Sequence, residues 1–229
     1  MVSFDSYEFT SFHDAIRTGF IDRYEITSAG FVGYSGKTEC FASAFSLASV
    51  SDVAKIIDIN HRVFMIRGDE LAKRLLDMYP FLYGDGCYEY VYRKERPRYD
   101  MQSLAIRNLT LAQLEIIKEN YSLYDEAYIK ERLSKSAIQG LFDQDKLLGF
   151  VGEHDEGSMG MLEILPEYRR HGYGELLERY KIASLIDQNR LVYCNVYADN
   201  IQSQRLQDKL RLERTELNSW WIYNSNFKG

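Results

Sequence analysis

Residues 162–174, LEILPEYRRHGYG, constrain the fold of this chain more than any other segment. They read as an apolar strand, a Pro-Glu turn and a basic loop that continues directly into a helix. The first backbone N–H groups of such a helix lack partners, and the helix dipole adds partial positive charge there. Gly172 and Gly174 would let the backbone approach a bulky anion, while Arg169 and Arg170 would supply full charge. The segment therefore predicts a cradle for a phosphate or pyrophosphate.

Two better-known phosphate loops do not match this segment. The Walker pattern ends in Gly-Lys-Ser/Thr, and a dinucleotide fingerprint requires glycine or alanine where this chain has Leu177. The alternative to an anion site is a solvated helix N-terminus with basic neighbours.

The composition is that of a globular protein. A chain of 229 residues forms one large domain or two small ones, and 45% apolar residues are too many for disorder. The net charge of −6 argues against a general nucleic-acid binder. No apolar run has the length of a membrane span, and residues 1–5 lack the pattern of a signal peptide. Cys40, Cys87 and Cys194 are widely spaced, which favours reduced thiols in a cytoplasmic protein over disulfides or a metal site.

A charged segment divides the chain. Residues 93–98, RKERPR, combine charge with one of the three prolines, a composition that discourages packed structure. We predict an N-terminal α/β domain over residues 1–98 and a second domain over residues 99–229. The same segment would also suit a solvated strand end followed by a turn.

Hydrophobic periodicity predicts α/β structure in both halves. In the first half, the expected strands are 24–27, 31–34, 39–45, 63–66 and 88–92, the helices 50–57 and 69–78, and the turns 29–30 and 35–37. In the second half, the expected strands are 103–106, 137–142, 147–153, 160–165, 191–196 and 216–223, and the helices 110–119, 125–135, 175–185 and 200–210. Gly36-Lys37-Thr38 looks like part of a phosphate loop, but a hairpin turn explains it better.

Two motifs in the second half resemble those of the GNAT superfamily of acyl-CoA N-acyltransferases. Residues 169–174 resemble its R/Q-x-x-G-x-G/A segment, and residues 200–210 are similar to its N-x-x-A/S-x-x-L-Y-x-K helix. Leu162 and Ile164 match the alternating apolar residues of the family's fourth strand, and residues 191–196 read as its fifth.

The resemblance implies an α/β (α+β) fold with a central mixed, mostly antiparallel sheet that is splayed between its fourth and fifth strands. The smaller domain before it would be a degenerate GNAT-like half that shapes the acceptor pocket. This arrangement resembles the glycine N-acyltransferase-like branch of the superfamily.

The resemblance further implies that acetyl-CoA or another acyl-CoA binds as co-substrate. Backbone groups of Ile164 and Leu165 would pair with the pantetheine arm, and Asn200 and Ser203 would contact that arm or the far end of the cofactor. A helix cap is a second role for Asn200 that is compatible with the first. The pyrophosphate would be held by Arg169, Arg170, His171, Gly172, Tyr173 and Gly174.

The catalytic positions depart from the family. Gln207 stands where many members have a tyrosine that protonates the leaving thiolate, and Ser158 where some have a glutamate. Glutamine cannot donate an acidic proton, so this step must use another group or solvent. Tyr197 is the candidate acid and Tyr193 lies close to it in sequence, although a structural role explains each of the two tyrosines better.

Glu163 is the candidate for the general base, because a carboxylate within an apolar strand would have its pKa raised by burial. Strand alternation would turn it toward the splayed cleft, although an exposed place on the free face explains it nearly as well. Glu153 and His154 are weaker candidates, and His171 is better explained as a neighbour of the phosphate.

The expected function is transfer of an acyl group from acyl-CoA directly to the amine of a small molecule or an amino acid, with much of the rate coming from positioning. Two alternatives stay open: a non-catalytic acyl-CoA-binding or sensing module, and a protein or peptide N-acetyltransferase. No nucleic-acid, membrane or metal partner is expected. Trp220 and Trp221 would suit a core, an acceptor site or the interface of a homodimer.

Overall fold

The computed structural model describes residues 2–36 and 38–228. The α-helices are α1 (Thr10–Arg17), α2 (Val50–Ile56), α3 (Asp69–Met78), α4 (Leu114–Asn120), α5 (Glu126–Ser134), α6 (Tyr173–Asp187) and α7 (Ile201–Leu210). The strands are β1 (Arg23–Ile26), β2 (Gly30–Ser35), β3 (Glu39–Ala44), β4 (Val63–Arg67), β5 (Leu82–Tyr92), β6 (Leu104–Asn108), β7 (Ile138–Asp143), β8 (Lys146–Glu153), β9 (Met159–Ile164), β10 (Val192–Tyr197), β11 (Glu213–Arg214) and β12 (Ser219–Asn224). The turn predicted at residues 35–37 and the Gly36-Lys37-Thr38 segment include Lys37, which lies outside the described residues.

Three elements were not predicted: α1, the first half of β5 and the two-residue strand β11. Thr10 and Ser11 at the start of α1 have low helix propensity. The helix forms because Phe12 and Ala15, both fully buried, anchor it in the core. None of the helices in the described part of the chain is long and apolar enough to span a bilayer.

The chain forms two compact units. One contains the residues up to 91 together with those from 195 onward, and the other contains residues 92–194. The first change of unit falls beside the charged segment, but the C-terminal residues join the N-terminal ones. The compact units therefore differ from the predicted domains 1–98 and 99–229, and this domain division stays a prediction.

The larger of two sheets has the strand order β1-β2-β3-β4-β12-β5-β10, and β11 pairs with β5. β3 and β4 are parallel, whereas β12 is antiparallel to both β4 and β5. Phe64 and Ile66 of β4 face a core formed with α2 and α3, and Met65 faces an aromatic core that includes Phe9 and Phe12. The last strand therefore completes the core of the N-terminal residues.

The two tryptophans of β12 contribute to both cores. Trp220 packs on the side of α2 and α3, and its indole N–H donates to Asp69 Oδ1 at 2.7 Å. Trp221 packs against the aromatic core on the other face. Core packing is thus the observed place for both, and the homodimer stays a prediction.

Glycines in β5 make room for β12. A Cβ on Gly84 would lie 2.0 Å from the carbonyl oxygen of Trp221, and one on Gly86 would lie 3.0 Å from the indole of Trp220. Glycine is unfavourable in strands, which is why sequence pattern alone predicts no strand here. The close approach of the two strands requires it.

A buried ion network lies within the first unit. The fully buried Arg67 donates to the Glu8 carbonyl at 2.7 Å, to Ser219 Oγ at 2.5 Å and to Thr215 Oγ1 at 3.0 Å, and lies 3.4 Å from Glu89 Oε2. Burial raises the pKa of Glu89, and the Arg67 charge opposes this rise. Loss of one partner would leave an uncompensated buried charge, so the network ties β4, β5 and β12 together.

The second unit contains the antiparallel sheet β6-β7-β8-β9. Helices α4 and α5 pack on one face, where Ile117 and Ile129 join Phe150 of β8 in one core cluster. Helix α6 packs on the other face through Leu177, which contacts Leu148 and its neighbours. β9 is the edge strand of this sheet, and it leads into the glycine loop and α6.

β9 contains a bulge. Its pairing with β8 shifts between Phe150 and Gly152, and Met161 has a left-handed φ of 50°. Met161 is almost fully buried, at 1% exposure, so packing holds this unfavourable backbone conformation. Bulges of this kind often lie next to functional sites because they redirect the side chains of a strand.

Candidate functional site

The outer edge of β9 directs backbone groups away from the sheet. The N–H of Leu165 donates to the Leu148 carbonyl at 3.0 Å, so the N–H and C=O of Ile164 point away from β8. The carbonyl of Leu165 accepts a hydrogen bond from the N–H of Tyr168 at 2.8 Å. Of the two residues predicted to pair with a pantetheine arm, only Ile164 faces outward. The backbone groups of Leu165 already have partners within the unit.

Arg169 folds back over the end of β9. Its Nε donates to the Ile164 carbonyl at 2.9 Å, and its Nη2 donates to Glu163 Oε1 at 2.8 Å. The side chain is nevertheless half exposed. Arg169 therefore contributes positive charge to the loop from a fixed position, while it occupies the outward carbonyl of Ile164.

The loop and the start of α6 form a cradle of backbone N–H groups. The five successive groups from Arg170 to Gly174 donate to no acceptor within residues 2–36 and 38–228. Arg170 and Gly172 have left-handed φ values of 66° and 84°, and such alternation makes successive N–H groups converge. The dipole of the 15-residue helix α6 adds positive potential at the same place. This geometry suits a phosphate or pyrophosphate.

His171 is fixed beside this cradle. Its Nδ1 lies 2.9 Å from the Arg169 carbonyl and 3.2 Å from the Tyr168 carbonyl, so Nδ1 carries a hydrogen and donates it. The ring stacks on Tyr173 with a centroid separation of 5.7 Å. The backbone contacts hold the imidazole next to the loop, where it was expected as a neighbour of a phosphate.

Gly174 lies within α6 rather than in the loop before it. The helix begins at Tyr173 rather than at residue 175, so Gly174 lies in its first turn. A Cβ on Gly174 would meet only Ile164 Cγ1, at 3.8 Å. The position needs no special backbone angle, and glycine here leaves open space in front of the N–H groups. Gly172 is the residue that requires the freedom of glycine.

The premise for Glu163 as a base does not hold. Its carboxylate is paired with Arg169 at 2.8 Å, and its side chain is 24% exposed. Glu163 is therefore not a carboxylate that is buried among apolar groups without a partner. The catalytic role of Glu163 stays a prediction without this support.

The second motif forms a cluster in the first unit. Asn200 Oδ1 accepts the N–H of Ser203 at 3.0 Å, which is the helix cap considered for Asn200. Gln204 Nε2 donates to the carbonyls of Tyr197 and Ala198 at 3.3 and 2.9 Å. Tyr197, Asn200 and Ser203 are therefore held together at the end of β10, whereas the glycine loop belongs to the second unit.

Tyr197 is a weak acid in this structure. Burial raises its pKa to about 12, and neighbouring phenol, thiol and carboxyl groups act in the same direction. Because an ordinary thiol has a pKa of about 8.5, proton transfer from Tyr197 to a thiolate would be uphill. Gln207, at the usual tyrosine position, is buried within α7. Both observations favour solvent as the source of that proton.

A cluster that the sequence did not reveal lies at the turn between β8 and β9. Tyr128 of α5 donates to Asp155 Oδ1 at 3.2 Å, and its hydroxyl lies 3.1 Å from His154 Nδ1. The hydroxyl of Ser158 donates to the carboxylate of Glu156. The signal available was the pair of acidic residues just before Ser158, the position where relatives carry a glutamate. No local sequence pattern marks Tyr128, because only the fold brings α5 to this turn.

Burial shifts the titration of these groups. It raises the pKa of Glu156 to about 7, assisted by the charge of Asp155, and lowers the pKa of His154 to about 4. Tyr128 also has its pKa raised, mainly by burial and then by Asp155. At neutral pH the turn thus contains a neutral imidazole, a neutral phenol and a carboxyl group that readily gains or loses a proton.

Comparisons with known proteins bear on the fold. A family model described as FR47-like protein matches residues 138–222, which include the loop, α6 and the second motif. A protein from Drosophila shares 16% identity and a TM-score of 0.64 over 86% of this chain and 75% of its own. A GNAT-family protein from Novosphingobium aromaticivorans shares 13% identity and a TM-score of 0.59 over 96% of this chain and 100% of its own. A GCN5-related N-acetyltransferase from Kribbella flavida shares 10% identity and a TM-score of 0.58 over 95% and 93%.

The chain has the GNAT fold. The predicted α/β class with a mixed, mostly antiparallel arrangement of strands is confirmed. The strands expected as fourth and fifth, β9 and β10, belong to different sheets. No curated protein matches the sequence.

Proposed function

We propose that this GNAT-fold protein is an acyl-CoA-dependent N-acyltransferase, with acetyl-CoA as the first co-substrate to test. The observation that carries the proposal is the run of five N–H groups from Arg170 to Gly174 without acceptors in the described chain. Unpartnered N–H groups at a helix N-terminus bind anions, and a pyrophosphate has enough oxygens to use several of them.

The surroundings of the cradle support the same ligand. Arg169 and Arg170 add positive charge, and the open space at Gly174 lets a bulky group come close to the backbone. The outward N–H of Ile164 would pair with an amide carbonyl of a pantetheine arm lying along β9 as an extra strand edge. The bound thioester would supply the electrophilic carbonyl carbon. Positioning by the protein would supply much of the rate.

A small amine or an amino acid is the proposed acceptor. Tyr124, Tyr128 and His154 form an aromatic group beside the carboxylate of Asp155, with 4.3 Å between the centroids of the two tyrosines. Aromatic faces and a carboxylate attract an ammonium group. The same reasoning makes a small-molecule enzyme our first choice.

The test is a calorimetric titration of wild type and Gly174→Glu with acetyl-CoA. Wild type should bind with micromolar or tighter affinity. The variant should lose at least about 100-fold in affinity, equivalent to about 2.7 kcal/mol, because a carboxylate would occupy the anion position. The variant should remain folded, since a side chain at this position has room and a negative charge suits a helix N-terminus.

Ser51→Glu is the matched control. It places the same charge in the exposed first turn of α2, in the other unit. Binding in this control should equal that of wild type. Equal binding by Gly174→Glu would mean that the cradle is not the cofactor site.

A non-catalytic sensing module is the second candidate, and the buried Gln207 favours it. It would bind acetyl-CoA with the same dependence on Gly174 but would transfer no acetyl group to any amine. Thiol release from acetyl-CoA in the presence of a panel of small primary amines and basic peptides separates the two. Preference for the peptides would instead indicate a peptide acceptor.

A further inference from the structure

The carboxyl group of Glu156 is the one acid of the β8–β9 turn that the protein buries and holds in place. Glu156 is 5% exposed, and Ser158, at 2% exposure, donates its hydroxyl to the carboxylate. The Tyr193 hydroxyl donates to the Glu156 backbone carbonyl at 2.8 Å and fixes the turn from β10. Within residues 2–36 and 38–228, Ser158 gives this carboxylate its side-chain hydrogen bond, and no cation forms an ion pair with it. Burying an acid in this way is unfavourable for stability, so a role other than folding is indicated.

The rings of His154 and Tyr128 beside this turn carry polar atoms that a ligand could contact. The His154 ring lies directly over Gly160 of β9, where an added Cβ would come 2.4 Å from its Nε2. Tyr128 donates to Asp155, so the Nδ1–H of His154 donates to the Tyr128 oxygen and Nε2 is left as an acceptor above β9. Glycine at residue 160 is therefore what lets an imidazole occupy this place.

The turn lies at the opposite end of β9 from the anion cradle. The six residues of β9 span roughly 20 Å at about 3.3 Å per residue. An extended pantetheine arm has a comparable length. If the pyrophosphate sits in the cradle, the thioester lies toward the turn.

We propose that Glu156 is the base that takes the proton from the acceptor amine, with Ser158 positioning its carboxylate. This rests on the proposed function. The acceptor arrives as an ammonium ion, and one of its protons passes to the carboxylate. The freed electron pair attacks the thioester carbon, the C–N bond forms, and the C–S bond breaks with its electron pair on sulfur. A second amine proton reaches the sulfur through solvent, and Glu156 returns its proton to water.

The pH dependence follows from the groups that face Glu156. Asp155 in the same turn raises its pKa, while Ser158 of the turn and Arg132 of α5 lower it. Tyr128 of α5, whose pKa burial raises, is neutral near pH 7 and adds no charge beside Glu156. The Tyr193 phenol of β10 faces the same turn and donates its hydroxyl to the Glu156 carbonyl. The base must be ionised to act, so turnover should rise with pH through about 7.

The experiment measures acetyl transfer to small primary amines, including glycine, between pH 5.5 and 9. Glu156→Gln should reduce turnover at pH 8 by at least about 100-fold. It should also remove the acidic limb of the pH profile, which is the fall in turnover toward low pH. Its affinity for acetyl-CoA should equal that of wild type. Ser158→Ala should move the midpoint of the limb to higher pH, because the lost hydrogen bond favours the ionised form. A purely structural role would not move this midpoint.

Glu25→Gln, an exposed acid on β1, is the control and should match wild type. Wild-type turnover and an intact limb in Glu156→Gln would overturn the proposal while leaving the N-acyltransferase function in place. A limb that disappears in Glu163→Gln instead would assign the base to Glu163. Acetyl-CoA binding without transfer by wild type would overturn both the enzymatic function and this base.

Discussion

At the turn between β8 and β9, burial acts on two neighbouring side chains in opposite directions. Glu156 is pushed toward its neutral form by a raised pKa, and His154 is pushed toward its neutral form by a lowered one. Each residue stabilises the folded chain only when it is uncharged. Such paired shifts are typical of functional sites, where polar groups are removed from water for reasons other than stability.

These shifts predict opposing pH dependences of stability. The contribution of Glu156 is complete below its unfolded pKa of about 4.5 and is lost as the pH rises through about 7. The contribution of His154 is complete above its unfolded pKa of 6.5 and is lost as the pH falls toward about 4. Each amounts to roughly 3 kcal/mol, so the two nearly cancel in wild type.

Single variants should reveal each of the two pH dependences of the unfolding free energy. Relative to wild type, Glu156→Gln should gain roughly 3 kcal/mol of unfolding free energy between pH 4.5 and 7, and His154→Gln should lose a similar amount. Urea unfolding at several pH values measures both. If the unfolding free energy depended on pH in the same way in all three proteins, the assigned pKa shifts would be contradicted.

At the scale of elements, glycine is required where the backbones of two strands come close together. β5 and β12 come so close that Gly84 cannot carry a side chain without displacing the Trp221 carbonyl. The tryptophans of β12 then reach two separate cores from one strand. The pairing of these strands is therefore as specific as the packing of the side chains.

Gly84→Ala should lower the free energy of unfolding by about 3 kcal/mol, at the upper end for overpacking. Gly19→Ala is the control, because its Cβ would meet nothing within 4 Å. Its left-handed φ of 76° makes the control cost about 1 kcal/mol. Equal losses in the two variants, measured by urea unfolding, would show that the strands can separate at Gly84 without cost.

For the whole molecule, the C-terminal segment belongs to the N-terminal unit. β12 lies between β4 and β5, and Thr215 and Ser219 bind the buried Arg67. The N-terminal residues alone would have a gap in the sheet, and the buried Arg67 guanidinium would lose its hydrogen bonds to Thr215 and Ser219. Their folding therefore waits for the end of the chain.

Removal of residues 212–229 should prevent the N-terminal unit from folding. The stabilising free energy that is lost with a central strand should exceed a typical unfolding free energy of about 5–15 kcal/mol. Amide exchange at Phe64 and Ile66 is the measurement, and both should lose protection. A chain ending at Asn226 keeps β12 and should retain protection. Protected amides in the shorter chain would mean that β4 and β5 can pair without β12.

Local patterns determined much of this protein. Alternation and helical periodicity located most strands and helices, since they depend on neighbours within a few residues. The basic glycine loop before α6 and the Asn200 cap were readable for the same reason.

Tertiary structure decided the rest. The place of β12, the need for glycine at residue 84, the pairing of Glu163 with Arg169, and the meeting of Tyr128 with His154 each join residues distant in sequence or dependent on burial. Burial also decides which acid gains a raised pKa, and no local pattern records it. Glu163 had the apolar neighbours in sequence, whereas the fold removes Glu156 and Glu89 from water.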